Sequence, residues 1–261
     1  MENKSFNLEN FDIKLDTNII GRNFIYAEEI GSTNKELLNQ REFYNHHGSV
    51  FLTDNQTKGR GRKDSIWYSE KEMNLTFSIL INDQRYLKKN ASLLNYSASL
   101  AIALSIENLY QLHTELKWPN DVLINGHKVA GILMESISIG SKIERLVIGL
   151  GLNVNQNLFQ GKFKITPTSL KKELGYTIER EKLLAEILNN LETILDKVIS
   201  STNEVLNEWK SRCPMIGERI TVVDDNGMKD GIFENIDKNG FLVLRSHNKI
   251  LTLHFGDVNI L

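Results

Sequence analysis

Cysteine is nearly absent from this chain: Cys213 is the only one in 261 residues. One thiol cannot close an intramolecular disulfide, and no Cys/His spacing for a structural metal is available. A reducing compartment is therefore expected, with Cys213 a buried residue at a helix end rather than a nucleophile. Long apolar runs are missing too. A membrane-spanning helix needs about 18 or more consecutive apolar residues, and the sequence has no such stretch. The opening residues MENKSFNLENFDIKL lack the apolar core of a secretion signal. Together these absences make a cytoplasmic protein the expectation. Excess positive charge is also lacking, since the formal net charge is −2. Proteins that coat nucleic acid usually carry a basic surface, so that class is disfavoured. A local basic pocket for a small anion remains compatible with the count. There is no internal repeat and no low-complexity tract.

Turning to what is there, 41% apolar and 25% charged residues suit a soluble globular chain. The length allows one large domain, or a medium one with a small companion. Thr33 and Glu36 have capping-box spacing and predict a helix from Ser32 to about Arg41. Ser49–Asp54 and Asn74–Ile81 read as strands, the latter with some alternation. From Asn90 to Tyr110 the sequence is apolar nearly all round, which predicts a core helix. Val122–Ile124 and Lys128–Glu135 flank Asn125-Gly126, a strong hairpin signal because both turn residues need positive φ. In that hairpin Lys128 falls opposite Leu123. Leu146–Asn155 is a further strand, and Gly149 and Gly151 within it leave room for close approach by backbone or ligand.

Thr168–Leu174 predicts a short helix stopped by Gly175, and Glu181–Ser200 an amphipathic one. Ser201 and Glu204 form a second capping box, opening a helix that Pro214 ends near Cys213. Beyond it lie four or five short strands separated by Asn226-Gly227, Asn239-Gly240 and His247-Asn248, a small β-barrel or β-roll. The fold class is thus α+β over residues 1–213, followed by an all-β unit over 214–261.

Two stretches concentrate chemistry. Gly59-Arg60-Gly61-Arg62, flanked by Lys58 and Lys63, combines close backbone approach with arginine forks suited to carboxylate and phosphate. A solvated surface loop has the same composition. The strands on either side and Trp67 just beyond, whose indole could stack on a base, favour function. Lys117-Trp118-Pro119-Asn120-Asp121 places two polar side chains at the mouth of the hairpin. Lys128, followed by the apolar run Val129–Met134, is either a surface lysine or one beside a covered pocket.

Taken together, these strings resemble the biotin–protein ligase family. GRGRKDSIWYSEKEMNLTFSIL looks like its biotin loop, KWPNDVLINGHKVAGILME its second signature and IGLGLNVN its third. STN at 32–34 and TSL at 168–170 continue the pattern in the right order. Asp64 and Glu72 depart from it, standing where the family commonly has glycine. The resemblance implies a mixed sheet flanked by helices, the biotin–lipoate ligase core related to class II aminoacyl-tRNA synthetases. It also implies a small SH3-like β-barrel at the C-terminus. The short stretch before Ser32 is below the size of an independent domain, so a form without the family's N-terminal DNA-binding module is expected.

The implied reaction joins biotin to ATP's α-phosphate and then passes biotin to a carrier lysine. Family precedent places Ser32, Thr33, Asn34, Gln56, Gly59, Arg60, Arg62, Lys128 and Gly131 around biotin. It places Arg60, Arg62, Trp67, Asn120, Lys128 and Asn153 around ATP and the adenylate. Arg62, Lys128 and Asp121 would carry the catalysis; Asp121 either accepts the carrier lysine's proton or only fixes the hairpin or the ribose. Mg²⁺ would come with the ATP phosphates, with no protein ligand assigned. The implied partner is the biotin carboxyl carrier protein of acetyl-CoA carboxylase or of another biotin-dependent enzyme. No nucleic acid or membrane partner is expected, and a homodimer is compatible with the sequence. Residues 56–73 offer little to anchor them to a core, and mobility of the empty loop is the expectation. A lipoate–protein ligase is the nearest rival reading, and a nucleic-acid-binding or regulatory module using the basic loop is another.

Overall fold

The computed structural model describes residues 5–39, 44–63, 65–225, 227–247, 249–254 and 256–260. Arg41, Asp64, Asn226 and Asn248, which figure in the reading above, lie outside the described residues. The chain begins with α1 (Leu8–Asp12), β1 (Phe24–Ile30), α2 (Thr33–Leu38), β2 (Val50–Gln56) and β3 (Leu75–Ile81). Then come α3 (Gln84–Leu87), α4 (Ala91–Tyr110), β4 (Glu115–Lys117), β5 (Asp121–Ile124), β6 (His127–Ile139) and β7 (Lys142–Leu152). Three helices follow: α5 (Leu170–Leu174), α6 (Arg180–Ser200) and α7 (Thr202–Ser211). The chain continues through β8 (Arg219–Asp224), β9 (Gly227–Ile236), β10 (Leu242–Ser246), β11 (Lys249–Leu253) and β12 (Asp257–Ile260).

Strands β1 to β7 form one seven-stranded sheet in the order β1-β2-β3-β7-β6-β5-β4. Only β1 and β2 pair in parallel; the other pairs are antiparallel. A parallel pair needs a crossover, and α2 lies in it. Helices α4, α6 and α7 pack together over one face of the sheet, and α2 covers β3 and β7 on the other. The alternation read in β3 is real, but both of its faces are buried. Leu75, Phe77, Ile79 and Ile81 enter the main core, while Leu80 joins Leu37, Phe51 and Val147 under α2. Thr76 and Ser78 share the Leu80 side by the period-two rule. They are the polar positions of that face.

The hairpin turn forms as read, with Asn125 at φ 52° and Gly126 at φ 75°, and Lys128 sits opposite Leu123. Helix α4 is a core helix throughout its middle, capped by the Asn90 side chain, which accepts from Ser92 N at 3.0 Å. Gly175, at φ 81°, stops α5. Cys213 is buried, and burial pushes its thiol up to about 12.

Some expectations need correction. Ser32, not Thr33, is the N-cap of α2, and neither it nor Ser201 at α7 makes a side-chain cap bond. The Thr33 hydroxyl is turned inward instead, toward Ser78 at 2.6 Å. Helix α2 ends at Leu38 and α7 at Ser211. Strand β1 was not anticipated, because FIYAEEI shows no alternation to betray it. Its order comes from pairing with β2.

The second sheet is antiparallel, five-stranded and ordered β11-β10-β9-β8-β12. Its apolar face, including Phe233, Ile236, Leu242 and Leu244, belongs to the same buried cluster as α4 and α7. Tyr96 of α4 stacks on Trp209 of α7 with ring centroids 4.4 Å apart and donates its hydroxyl to Gly240 O at 2.8 Å. This docking brings β12 beside the β4–β5 end of the large sheet.

A buried ion pair ties strand to helix. Asp54 of β2 meets Arg180 Nη1 at the start of α6 at 2.6 Å, with 1% and 4% of the side chains exposed. Tyr26 of β1 donates its hydroxyl to the other carboxylate oxygen at 2.5 Å. Breaking a buried pair from one side leaves an uncompensated charge. Arg180→Leu should therefore lower unfolding free energy by about 3–5 kcal/mol, measured by urea denaturation. A loss under about 1 kcal/mol would mean that the buried pair contributes little net stability.

Candidate active site

One row of paired residues crosses five strands. Thr76 (β3) pairs with Gly151 (β7), Gly151 with Gly131 (β6), Gly131 with Asp121 (β5) and Asp121 with Lys117 (β4). One step along, Ser78 pairs with Gly149, which pairs with Leu133. The glycines leave a trough in the sheet face. A Cβ on Gly151 would overlap the Trp67 ring, and one on Gly149 would overlap the Asn34 side chain. Above the trough is a cavity of about 360 Å³.

At the α2 end the cavity is lined by Ser32, Thr33, Asn34 and Gln56. Thr33 N donates to Gln56 Oε1 at 3.0 Å, and Ser78 Oγ donates to Asn34 Oδ1 at 2.5 Å. Asn34 Nδ2 donates to Leu133 O at 3.2 Å and to Glu135 Oε2 at 2.8 Å. These bonds fix a set of short polar groups suited to a neutral polar head with donors and acceptors.

At the other end charges gather. Lys128 Nζ lies 2.6 Å from Asp121 Oδ1, an ion contact whose angles do not make an aligned hydrogen bond. Lys117 is half-buried and lines the cavity. Burial pushes its ammonium pKa down more than nearby Asp121 raises it, and Lys128 adds to the fall. Asn120 is locked to β6, donating Nδ2 to Ile132 O at 2.6 Å and accepting Ile132 N at 3.0 Å on its carbonyl.

The basic loop forms the cavity's cover and is better anchored than its composition suggested. Gly61 N donates to Ser65 O at 2.6 Å and Trp67 N to Gly59 O at 3.2 Å. Arg60 pairs with Glu135 at 2.9 Å. Arg62 donates to Asn120 Oδ1 at 3.2 Å, to Gly256 O at 3.0 Å and to Asp257 Oδ1 at 3.3 Å. The Trp67 ring lies over the glycine trough with Lys128 Nζ 5.8 Å from a ring centroid, and its Nε1 is buried without a partner among the described residues.

Of the residues singled out from sequence, Ser32, Thr33, Asn34, Gln56, Arg60, Arg62, Trp67, Asn120, Asp121, Lys128 and Gly131 line this one cavity. Gly59 and Asn153 do not. Gly59 shapes the loop itself, since a Cβ there would overlap the Trp67 carbonyl. Asn153, just past the end of β7, is buried and donates Nδ2 to Thr168 O at 3.0 Å; its Oδ1 has no partner among the described residues. Ser78, Glu135, Lys164 and Asp257 were not singled out from sequence, and Lys117 was named only as the first residue of the KWPND stretch. Polar positions inside the apolar strand β3 could have flagged Ser78. Nothing local marks Asp257, which arrives through the docking of the second sheet.

Glu72, standing where the related loops commonly have glycine, has φ 63°, in the region that favours glycine. Its amide donates to Asp54 O at 3.1 Å, so the turn is held in that conformation.

Residues 26–153 match the biotin/lipoate A/B protein ligase family, and residues 215–260 match the biotin protein ligase C terminal domain. The bifunctional ligase/repressor BirA of Bacillus subtilis is 31% identical over 252 residues, 94% of this chain and 76% of that protein. The biotin–[acetyl-CoA-carboxylase] ligase of Paracoccus denitrificans is 32% identical over 202 residues, 74% of this chain and 82% of that protein. The Aquifex aeolicus biotin protein ligase, solved in complex with biotin and ATP, superposes with a TM-score of 0.81 at 26% identity. That match covers 92% of this chain and 99% of the Aquifex chain. The chain belongs to the biotin protein ligase family, in both its mixed-sheet core and its C-terminal β unit.

The left-handed turn at Glu72 yields a stability test. A non-glycine residue in that region costs about 1–2 kcal/mol, partly offset by the entropy glycine adds to the unfolded chain. Glu72→Gly should therefore raise stability by up to about 1 kcal/mol, read as a higher Tm. A lower Tm would show that the Glu72 side chain contributes more than its backbone costs.

Proposed function

We propose that this chain couples biotin to AMP at ATP's expense and then hands the biotin to a carrier lysine. The observation that carries this reading is the layout of the cavity. Short polar groups suited to biotin's ureido head sit at one end of a side-chain-free trough. Lys128, Arg62 and Lys117 gather at the other, where a carboxylate and a triphosphate would meet.

In the first step a biotin carboxylate oxygen attacks the α-phosphorus, a P–O bond forms, and the bond to pyrophosphate breaks. Both reactants are anions, so the step needs positive charge aimed at the developing transition state. Lys128, which lines the cavity beside Asp121, takes this role in the proposed step. It must exchange its contact with Asp121 for the substrate oxygens, and Trp67 must move or tilt to share the trough with the acyl chain and the adenine. Arg62 holds the phosphate side, while Arg60, sharing Glu135 Oε2 with Asn34, ties the loop down at the polar end. Among the described residues no cluster of three His, Cys, Asp or Glu side chains is arranged to hold a metal. Mg²⁺ would be held chiefly by the phosphates, as is usual for this ion, with Asp121 the nearby carboxylate, and would neutralise phosphate charge.

In the second step the carrier lysine's amine attacks the acyl carbon and AMP leaves. A free lysine is neutral only about 0.04% of the time at pH 7, so its proton needs an acceptor. Asp121, freed when Lys128 turns to the substrate, is that acceptor. The name of the Paracoccus relative points to a carboxylase carrier as the protein substrate. The nucleic-acid reading of the basic loop is weaker, because Arg60, Arg62 and Lys63 are paired with carboxylates at the cavity rather than spread over an open face.

The deciding experiment is ATP–pyrophosphate exchange by the pure protein with biotin against lipoate. Exchange with biotin supports the reading, and preference for lipoate would transfer the chain to the other branch of the family. In the same assay Lys128→Ala should lose roughly 10²–10³ in rate, the usual cost of one charge-stabilising donor. Near-normal exchange would remove Lys128 from the mechanism.

Lys117 gives a pH signature. A lysine whose pKa is lowered loses its charge at a lower pH than an ordinary one. ATP affinity should therefore weaken on the alkaline side before normal lysine titration. Lys117→Arg keeps its charge and should push that limb to higher pH. Superimposable profiles for the two proteins would mean that Lys117 does not face the nucleotide.

A further inference from the structure

One carboxylate at the cavity comes from the second sheet. Asp257, at the start of β12, faces three cations at once. Lys164 Nζ is 3.0 Å away, Arg62 Nη1 3.3 Å and Lys63 Nζ 3.8 Å. Arg62 and Lys63 belong to the basic loop, and Lys164 belongs to the segment between β7 and α5, which also lines the cavity. The two segments share no strand and no described salt bridge with each other. Asp257 is the point at which both are tied to the C-terminal sheet, helped by the neighbouring Gly256 carbonyl that accepts from Arg62 at 3.0 Å. Lys164 is 80% exposed and has no other described ion pair.

We propose that Asp257 is a stand-in anion: it collects the cations of both cover segments in the empty enzyme, and the triphosphate of ATP takes its place. This rests on reading the cavity as a biotin and ATP site. Like charges at Arg62, Lys63 and Lys164 would spread the two segments apart without a counter-charge between them. Partial burial alone would raise the Asp257 pKa, yet Lys164, Arg62 and Lys63 outweigh it and hold the carboxyl below its ordinary value. The group is thus ionised at neutral pH. A triphosphate entering beside it meets cations already engaged and a fixed negative charge that repels it. Opening the pairs is feasible, because contacts this exposed are individually weak. The C-terminal sheet then senses nucleotide: with ATP bound, its link to the cover is loosened.

Asp257→Asn keeps the size of the side chain and removes its charge. Without ligands, trypsin should cut the variant after Lys63 and Lys164 faster than wild type, and Asp257→Glu should restore protection. In exchange assays Asp257→Asn should lower KM for ATP about three- to tenfold, the range expected for removing one or two exposed ion pairs and a repulsion. KM for biotin should stay unchanged. Unaltered trypsin cleavage would overturn the clasp. An unchanged or raised KM for ATP would overturn the displacement, showing that Asp257 is indifferent or positions the cations for phosphate. If wild type itself shows no biotin-dependent exchange, the functional reading fails, while the ligand-free trypsin comparison still decides the clasp.

Discussion

The site depends on side chains that are not there. Gly131, Gly149 and Gly151 lie on neighbouring strands β6 and β7, where ordinary residues would fill the sheet face. Trp67 and Asn34 occupy the space that Cβ atoms would take. Because the strands are pinned by pairing on both sides, the trough is a rigid feature rather than a gap that could collapse. Everything around it is arranged by the same pairing. The row that supplies the glycines runs on to Asp121 and Lys117, so trough and charges share one register. A slip of one residue would turn every member of the row to the opposite face.

Around that rigid floor the rest of the site is held by polar contacts of graded strength. The inner network of Thr33, Ser78, Asn34 and Gln56 is largely buried, where hydrogen bonds are costly to leave unmade. The outer contacts of Arg60 with Glu135 and of Arg62 with Asp257 are partly solvated, and such pairs open at little cost. The gradient separates a fixed end that selects by shape from a cationic end that can rearrange as phosphates come and go.

Much of this was legible in the sequence because local rules sufficed. Asn125-Gly126 allowed one tight turn, and that turn fixed Lys128 opposite Leu123. The stretch from Asn90 to Tyr110 is apolar nearly all round, as a core helix requires. The ordered motifs carried most of the site, and ten of their singled-out residues meet at one cavity together with Gln56. What escaped depends on distant parts of the chain. Strand β1 has no pattern of its own and is ordered by a parallel partner. Thr33 looked like a helix cap, but the neighbouring Ser78 offered its hydroxyl a buried partner. The loop 56–73 looked unanchored because its anchors, Glu135 and Asp257, are 75 and 195 residues from the arginines they hold.

The place of β12 in the chain order has a consequence for biosynthesis. Every other cavity residue discussed, from Ser32 to Lys164, leaves the ribosome before Asp257 and the strand that carries it. A nascent chain could therefore shape the trough and the polar end while its basic cover still lacks its attachment to the second sheet. In this architecture the ligand-free fastening arrives late in translation, so half-made polypeptides and chains trimmed by proteases at that end would carry an untied cover until nucleotide binds.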